Sequence, residues 1–251
     1  MFRVVHDVQG NLPGPFSPTM LMVALGTLLW MVAYVLSIWQ GFKEKTYSVP
    51  IVAVCLCFTW EVLASTVTTA PVKLWHYGAI FWMLLDAVIV YQVFRYGRAR
   101  QVIPEIRQWY YPILVCGLAL ALVGQYLFTI AFKDWLGFQF SYLINFVMSV
   151  CFIFMYFTRR DSGNLTYGIA WAKMLGTGII SVALVSLFPI LYPAHGPEHT
   201  PFMYLMYASC AVVDGVYIAM LTHARRVRVA QPDSAGLAPA EEASAGSRMA
   251  A

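Results

Sequence analysis

Long apolar stretches separated by short polar ones fill most of the chain. Seven of them, at 18–40, 50–69, 73–94, 111–131, 138–158, 168–191 and 201–223, each run about 20 residues. At 1.5 Å per residue, that length lets an α-helix cross the roughly 30 Å of bilayer hydrocarbon. Pro50, Pro71, Pro112 and Pro201 fall at or near the ends of these runs, where a missing N–H costs little. The pattern predicts an all-α membrane protein, a seven-transmembrane helix bundle. The first run is read as a true span and not a signal peptide. It is too long, and acidic Asp7 precedes it with only Arg3 as a nearby cation. The domain reading is an N-terminal segment 1–17, the helix bundle 18–225, and a tail 226–251. That tail is rich in Ala, Ser, Gly and Pro and is expected to be disordered.

Composition agrees with the pattern. Of 251 residues, 60% are hydrophobic and 11% charged, against roughly 45–50% and 25% in soluble domains. The net charge of +4 calls for no nucleic-acid partner, because its distribution follows the spans. Eleven cations fall in the odd-numbered connections and at the C-terminal end: Lys43, Lys45, Arg95, Arg98, Arg100, Arg107, Arg159, Arg160, Arg225, Arg226 and Arg228. Only Arg3, Lys73 and Lys133 fall on the other side. The positive-inside rule then expects the N-terminus outside and the C-terminus in the cytoplasm. The five cysteines all lie within spans, lack zinc-site spacing, and read as small hydrophobes.

Charges inside the spans carry the candidate chemistry. A carboxylate at mid-membrane costs about 2.5–3.5 kcal/mol on insertion scales, so such groups face a protein interior or a wet cavity. Glu61, Asp86, Lys173 and Asp214 qualify. Counted along their helices, the three acids lie at similar depth, roughly 12–17 Å below the cytoplasmic surface. Lys173 is shallower and is expected to be a counter-ion to Asp86. Gln125 and Asn145 lie a little further out. Phe58, Trp60, Trp82, Tyr142 and Tyr217 supply aromatic surface near these groups. Acids among aromatic walls suit one kind of chemistry. An acid can give its proton to an olefin or epoxide. Aromatic faces then stabilise the carbocation, and apolar walls keep out the water that would quench it.

Five segments in order along the chain strengthen this reading: "GFKEKTYSVP" with "CFTWEVLAS", then "WMLLDAVIVYQVFRYG", "NFVMSVCFIFM", "AWAKMLGT" and "VVDGVYIAML". Together they resemble the integral-membrane terpene cyclases of the paspaline and pyripyropene type, which act in meroterpenoid and indole-terpenoid pathways. The resemblance implies cyclisation of an isoprenoid chain, often one joined to a polyketide or indole and often ending in an epoxide. It implies that Glu61 and Asp214 are the essential acids. Glu61 would be the proton donor, with Asp214 polarising the donor or taking the final proton. Trp60, Phe58, Trp82, Asp86, Gln125, Tyr142, Asn145 and Tyr217 would shape a substrate or cation-stabilising cavity. The surroundings of the Trp-Glu pair and the Ala- and Pro-rich tail depart from fungal members and suggest a bacterial one. Bacterial relatives act on farnesylated indole alkaloids, so a farnesyl-bearing indole is an expected substrate.

The chain has no Asp-Asp-x-x-Asp or Asp-x-Asp-Asp cluster. Diphosphate ionisation needs metal-binding carboxylates beside the leaving group, so proton initiation is expected, with no cofactor and no metal. The partners expected are a lipophilic prenylated substrate and membrane lipid. Residence is expected in a bacterial plasma membrane or, in a eukaryote, the endoplasmic reticulum. The rival reading is a proton-coupled small-molecule transporter using Asp86, Lys173 and Asp214 as a relay. A retinal protein needs a Schiff-base lysine in the last span, which has none. Gly176 and Gly178 are sites where the sixth span would loosen. His76 is read as interfacial, and His195 and His199, in the outer connection, are expected to have no role rather than to gate a cavity.

Overall fold

The computed structural model describes residues 11–68, 73–159, 166–192 and 199–230. Residues 1–10, His195 and the tail beyond 230 lie outside these. The described chain is helical, with no strand. Its long helices are α1 (Pro18–Lys43), α2 (Ile51–Thr66), α3 (Lys73–Tyr96), α4 (Tyr110–Ala131), α5 (Phe138–Thr158), α6 (Tyr167–Leu191) and α7 (His199–Ala230). These match the seven apolar runs in order. Six are long and apolar enough to cross a membrane. The exception is α2, whose 16 residues span only about 24 Å. Its helix stops at Thr66, three residues short of the expected end. α7 continues past Arg226 to Ala230, so the start of the expected tail is helical.

The helix ends have local causes. Ser17 caps α1, its hydroxyl accepting from the Met20 N–H at 3.3 Å with Pro18 in the first turn. α2 begins directly after Pro50. Before α5, Gly137 sits at φ +77°, a left-handed conformation that glycine adopts without strain. There Asp134, fully buried, accepts from the backbone N–H of Phe140 at 2.8 Å and of Gln139 at 3.3 Å. It also accepts from the Tyr192 hydroxyl. Those bonds satisfy donors that the first turn of a helix leaves without partners.

Packing contacts run α1–α3–α2–α5–α7–α6 and back to α1. Six helices thus form a closed ring, with α4 outside it against α2. Accordingly α4 buries only Tyr110, Leu114, Gln125 and Thr129 and turns Leu120, Val123 and Leu127 outward. The tightest seam joins α1 to α6. A Cβ on Gly26 would lie 2.9 Å from the Gly176 carbonyl oxygen, and one on Gly176 would lie 2.8 Å from the Trp30 ring. Gly176 therefore serves close backbone approach, as small residues do between membrane helices. Gly178 has nothing within 4 Å.

Candidate active site

The interior of the ring is polar at mid-height. Three rungs cross it between α5 and α6, each about one helical turn from the next. The Tyr142 and Ser181 hydroxyls lie 2.9 Å apart. Asn145 donates to the Thr177 hydroxyl at 3.0 Å. Lys173 donates to the Ser149 hydroxyl at 2.7 Å. The third rung reaches α7. Lys173 Nζ lies 2.8 Å from both carboxylate oxygens of Asp214, with both side chains 4% exposed. Its ammonium also lies 5.8 Å from the Trp30 ring centre, within range of a cation–π attraction.

This pairing differs from the sequence expectation. Lys173 is the counter-ion of Asp214, not of Asp86. Depth along a helix places Asp86 and Asp214 at one level with Lys173 somewhat shallower, but rotation about the axes decides which of them meet. Asp86, 2% exposed, instead accepts from the Tyr34 hydroxyl on α1 at 3.3 Å.

Beside these groups lies a cavity of about 20 Å³, room for one water. Trp30, Tyr34, Ser37, Cys57, Asp86, Met148, Phe152 and Lys173 are among the residues lining it. The α1–α2 connection closes one end. Thr46, Tyr47 and Ser48 are buried there, and Val49 reaches the cavity wall. Arg159 pins this loop, donating to the Tyr47 carbonyl at 2.9 Å with its guanidinium 3.8 Å over the Tyr47 ring.

Glu61, 6% exposed, stands on α2 one turn beyond the cavity-lining Cys57. Its Oε2 is buried without a hydrogen-bond partner. Asp86 stands on α3, which packs against α2. Buried polar atoms are normally satisfied, and each exception needs a reason. An apolar side chain would have filled this position at no such cost.

The other candidate residues divide by face. Trp82 packs edge-on against Tyr34, ring centres 6.0 Å apart. Tyr217 packs on the cavity-lining Phe152 at 5.5 Å. Tyr142 meets Tyr207 edge-on at 4.6 Å, a turn or two toward the far end of the ring. Asn145 holds the middle rung, its Oδ1 unpartnered. Trp60, Phe58 and Gln125 are not among the residues that line the cavity. Trp60 donates to the Gly137 carbonyl at 3.1 Å. Gln125 donates to the Leu56 carbonyl and the Thr59 hydroxyl, each at 2.9 Å, which ties the outer helix α4 to the back of α2. Thr59 lies about 160° round that helix from Glu61. Trp30 and Tyr34 were missed in the sequence. A signal for the α1 face existed in Tyr34, Ser37 and Gln40, polar groups at helical spacing that are all buried. Among the described residues, no three His, Cys, Asp or Glu side chains gather where they could hold a metal.

Residues 16–227 match the family model of Pyr4-like transmembrane terpene cyclases. The terpene cyclase macJ of Penicillium terrestre is 27% identical over 211 residues, 81% of this chain and 81% of that one. The Pyr4-family terpene cyclase mfmH of Annulohypoxylon moriforme is 24% identical, covering 74% of this chain and 78% of its own. The terpene cyclase pyr4 of Aspergillus fumigatus is 23% identical, covering 78% and 83%. No solved structure matches the chain.

Proposed function

The chain belongs to the Pyr4-like transmembrane terpene cyclases, and on that premise we propose that Glu61 starts the cyclisation of a farnesyl-type chain by giving up a proton. The chain ends in an olefin or an epoxide and is carried on a prenylated indole or meroterpenoid head. Family membership takes the place of the transporter reading, and the protein is a multi-pass membrane enzyme.

One observation carries the proposal. Glu61 Oε2 is buried and unpartnered, one helical turn from Cys57 in the wall of an aromatic-lined cavity, while the Asp214 carboxylate is fully engaged by Lys173. The two acids are thus set up differently. Glu61 gives its proton to the epoxide oxygen or the terminal alkene carbon. The C–O bond opens or the π bond is consumed, and the next alkene closes a ring on the resulting cation. Trp30, Tyr34 and Phe152 face that cation, with Trp82 and Tyr217 packed behind them. Loss of a C–H proton to the Asp214 carboxylate ends the sequence. One proton enters and one leaves, so the product is an isomer of the substrate. Asn145 and Tyr142 support the α5 side of the site. Phe58, Trp60 and Gln125 support it from α2 and α4.

The cavity must widen to take a fifteen-carbon chain, since its resting volume is about 20 Å³. A substrate that partitions into lipid reaches it from the membrane. The cation bias supports an outside N-terminus and a cytoplasmic C-terminus. The fungal relatives favour a eukaryotic membrane, for which we place the enzyme in the endoplasmic reticulum. No metal and no cofactor enters the scheme.

The test is made on membranes from expressing cells, given farnesylated indole and epoxyfarnesyl substrates. Wild type yields a cyclised isomer. Glu61→Gln and Asp214→Asn keep the shape, remove the acid, and lose the product at equal expression. Product that survives both changes overturns the assignment of these acids.

A further inference from the structure

The reaction leaves the enzyme out of balance. Glu61 ends a turnover without its proton and Asp214 ends with one too many. The two acids stand on α2 and α7, which are not neighbours in the ring. Something must carry a proton back before the next substrate reacts.

Asp86 occupies the position such a carrier needs. It is the acid that lines the cavity, and Cys57, one turn before Glu61 on the helix packed against its own, lines it too. Lys173, which lines the same cavity, binds Asp214 at 2.8 Å. Asp86 and Lys173 thus line one cavity of about 20 Å³, room for one water to join them, and Asp214 lies directly behind Lys173. The Tyr34 hydroxyl, 3.3 Å from Asp86, opens on the same space. A carboxylate inside a membrane protein with no cation of its own is costly, and a purely structural role would be met by an amide. The unpartnered Glu61 Oε2 is the terminus of the path.

We propose that Asp86, held by Tyr34, is a proton relay that returns the terminating proton from Asp214 to Glu61 between turnovers. The inference rests on the donor and acceptor roles proposed above. In each cycle Asp214 gives the proton it took from the substrate cation to the Asp86 carboxylate. Asp86 passes it to the Glu61 carboxylate. No proton is consumed and no other reactant is needed.

The relay separates the first turnover from those that follow. Purified enzyme in mixed micelles is assayed twice, once with enzyme in excess over substrate and once with substrate in excess. Asp86→Asn, rested until Glu61 has regained its proton from solvent, loses with enzyme in excess only what its place in the cavity wall costs. With substrate in excess its turnover falls further, on the order of 10²-fold beyond that loss, the usual scale of a lost proton-transfer group. Tyr34→Phe, which removes only the hydroxyl, shows the same split to a smaller degree. It also guards against a folding defect in the Asp86 variant. Glu61→Gln fails in both regimes, as the donor role requires. Equal loss in both regimes for Asp86→Asn and Tyr34→Phe makes them ordinary site residues and overturns the relay. Undiminished multiple turnover overturns it too. If Glu61→Gln itself turns over, the donor assignment has failed, not the relay alone.

Discussion

The Lys173–Asp214 pair offers the sharpest test of how charge is balanced inside the bundle. At 2.8 Å and an effective dielectric constant of about 20, the attraction is about 6 kcal/mol. Desolvating each ion costs several kcal/mol, so the intact pair contributes little net stability. Removing one partner is different. Lys173→Met strands the Asp214 carboxylate, and a lone charge at this depth costs about 3 kcal/mol. Asp214→Asn strands an ammonium that keeps Ser149 at 2.7 Å and the Trp30 face, so the expected cost is lower, about 2 kcal/mol. The double variant carries no charge and is expected within about 1 kcal/mol of wild type. The coupling, singles minus double, is then about 4 kcal/mol. Reversible unfolding by SDS in mixed micelles, followed by tryptophan fluorescence, measures all four proteins. Singles that simply add, to within about 0.5 kcal/mol, refute the picture of a neutralised pair. The double variant should fold and still make no product, which separates stability from chemistry.

Two further predictions follow from packing. Gly26→Ala drives a Cβ to 2.9 Å from the Gly176 carbonyl and is expected to cost about 1–3 kcal/mol in the same unfolding assay. Gly178→Ala, with nothing within 4 Å, is expected to be neutral or slightly stabilising; equal costs would dissolve the α1–α6 seam as an explanation. Trp60→Phe removes the bond to the Gly137 carbonyl and is expected to lower stability by about 1 kcal/mol while leaving the ratio of cyclised products unchanged. Trp30→Leu, on the cavity wall, is expected to shift that ratio, and product analysis by mass spectrometry decides between them.

The all-helical fold and the order of the helices were legible because a membrane span needs only length and apolarity, both properties of the chain alone; six of the seven runs form helices long enough to cross, and the second does not. The candidate acids were legible for a related reason: a carboxyl in an apolar run has to be explained wherever it ends up. Partnership was not legible. Glu61 and Trp60 are adjacent in sequence, yet they point about 100° apart, and Trp60 serves the loop before α5 rather than the cavity. Cys57 and Ser65, one turn either side of Glu61, are the residues that share its face. Cys57 lines the cavity, and the Ser65 hydroxyl reaches Met83 on α3 at 3.4 Å. The choice of Asp214 over Asp86 as partner of Lys173 depends on how α6 and α7 are rotated against each other. That rotation is set by contacts such as Gly26 on Gly176, from helices far apart in sequence. The same rotation leaves Asp86 with a phenol instead of a cation. On the roles proposed for Glu61 and Asp214, an acid that shares its cavity with Lys173 is better explained by proton traffic than by packing.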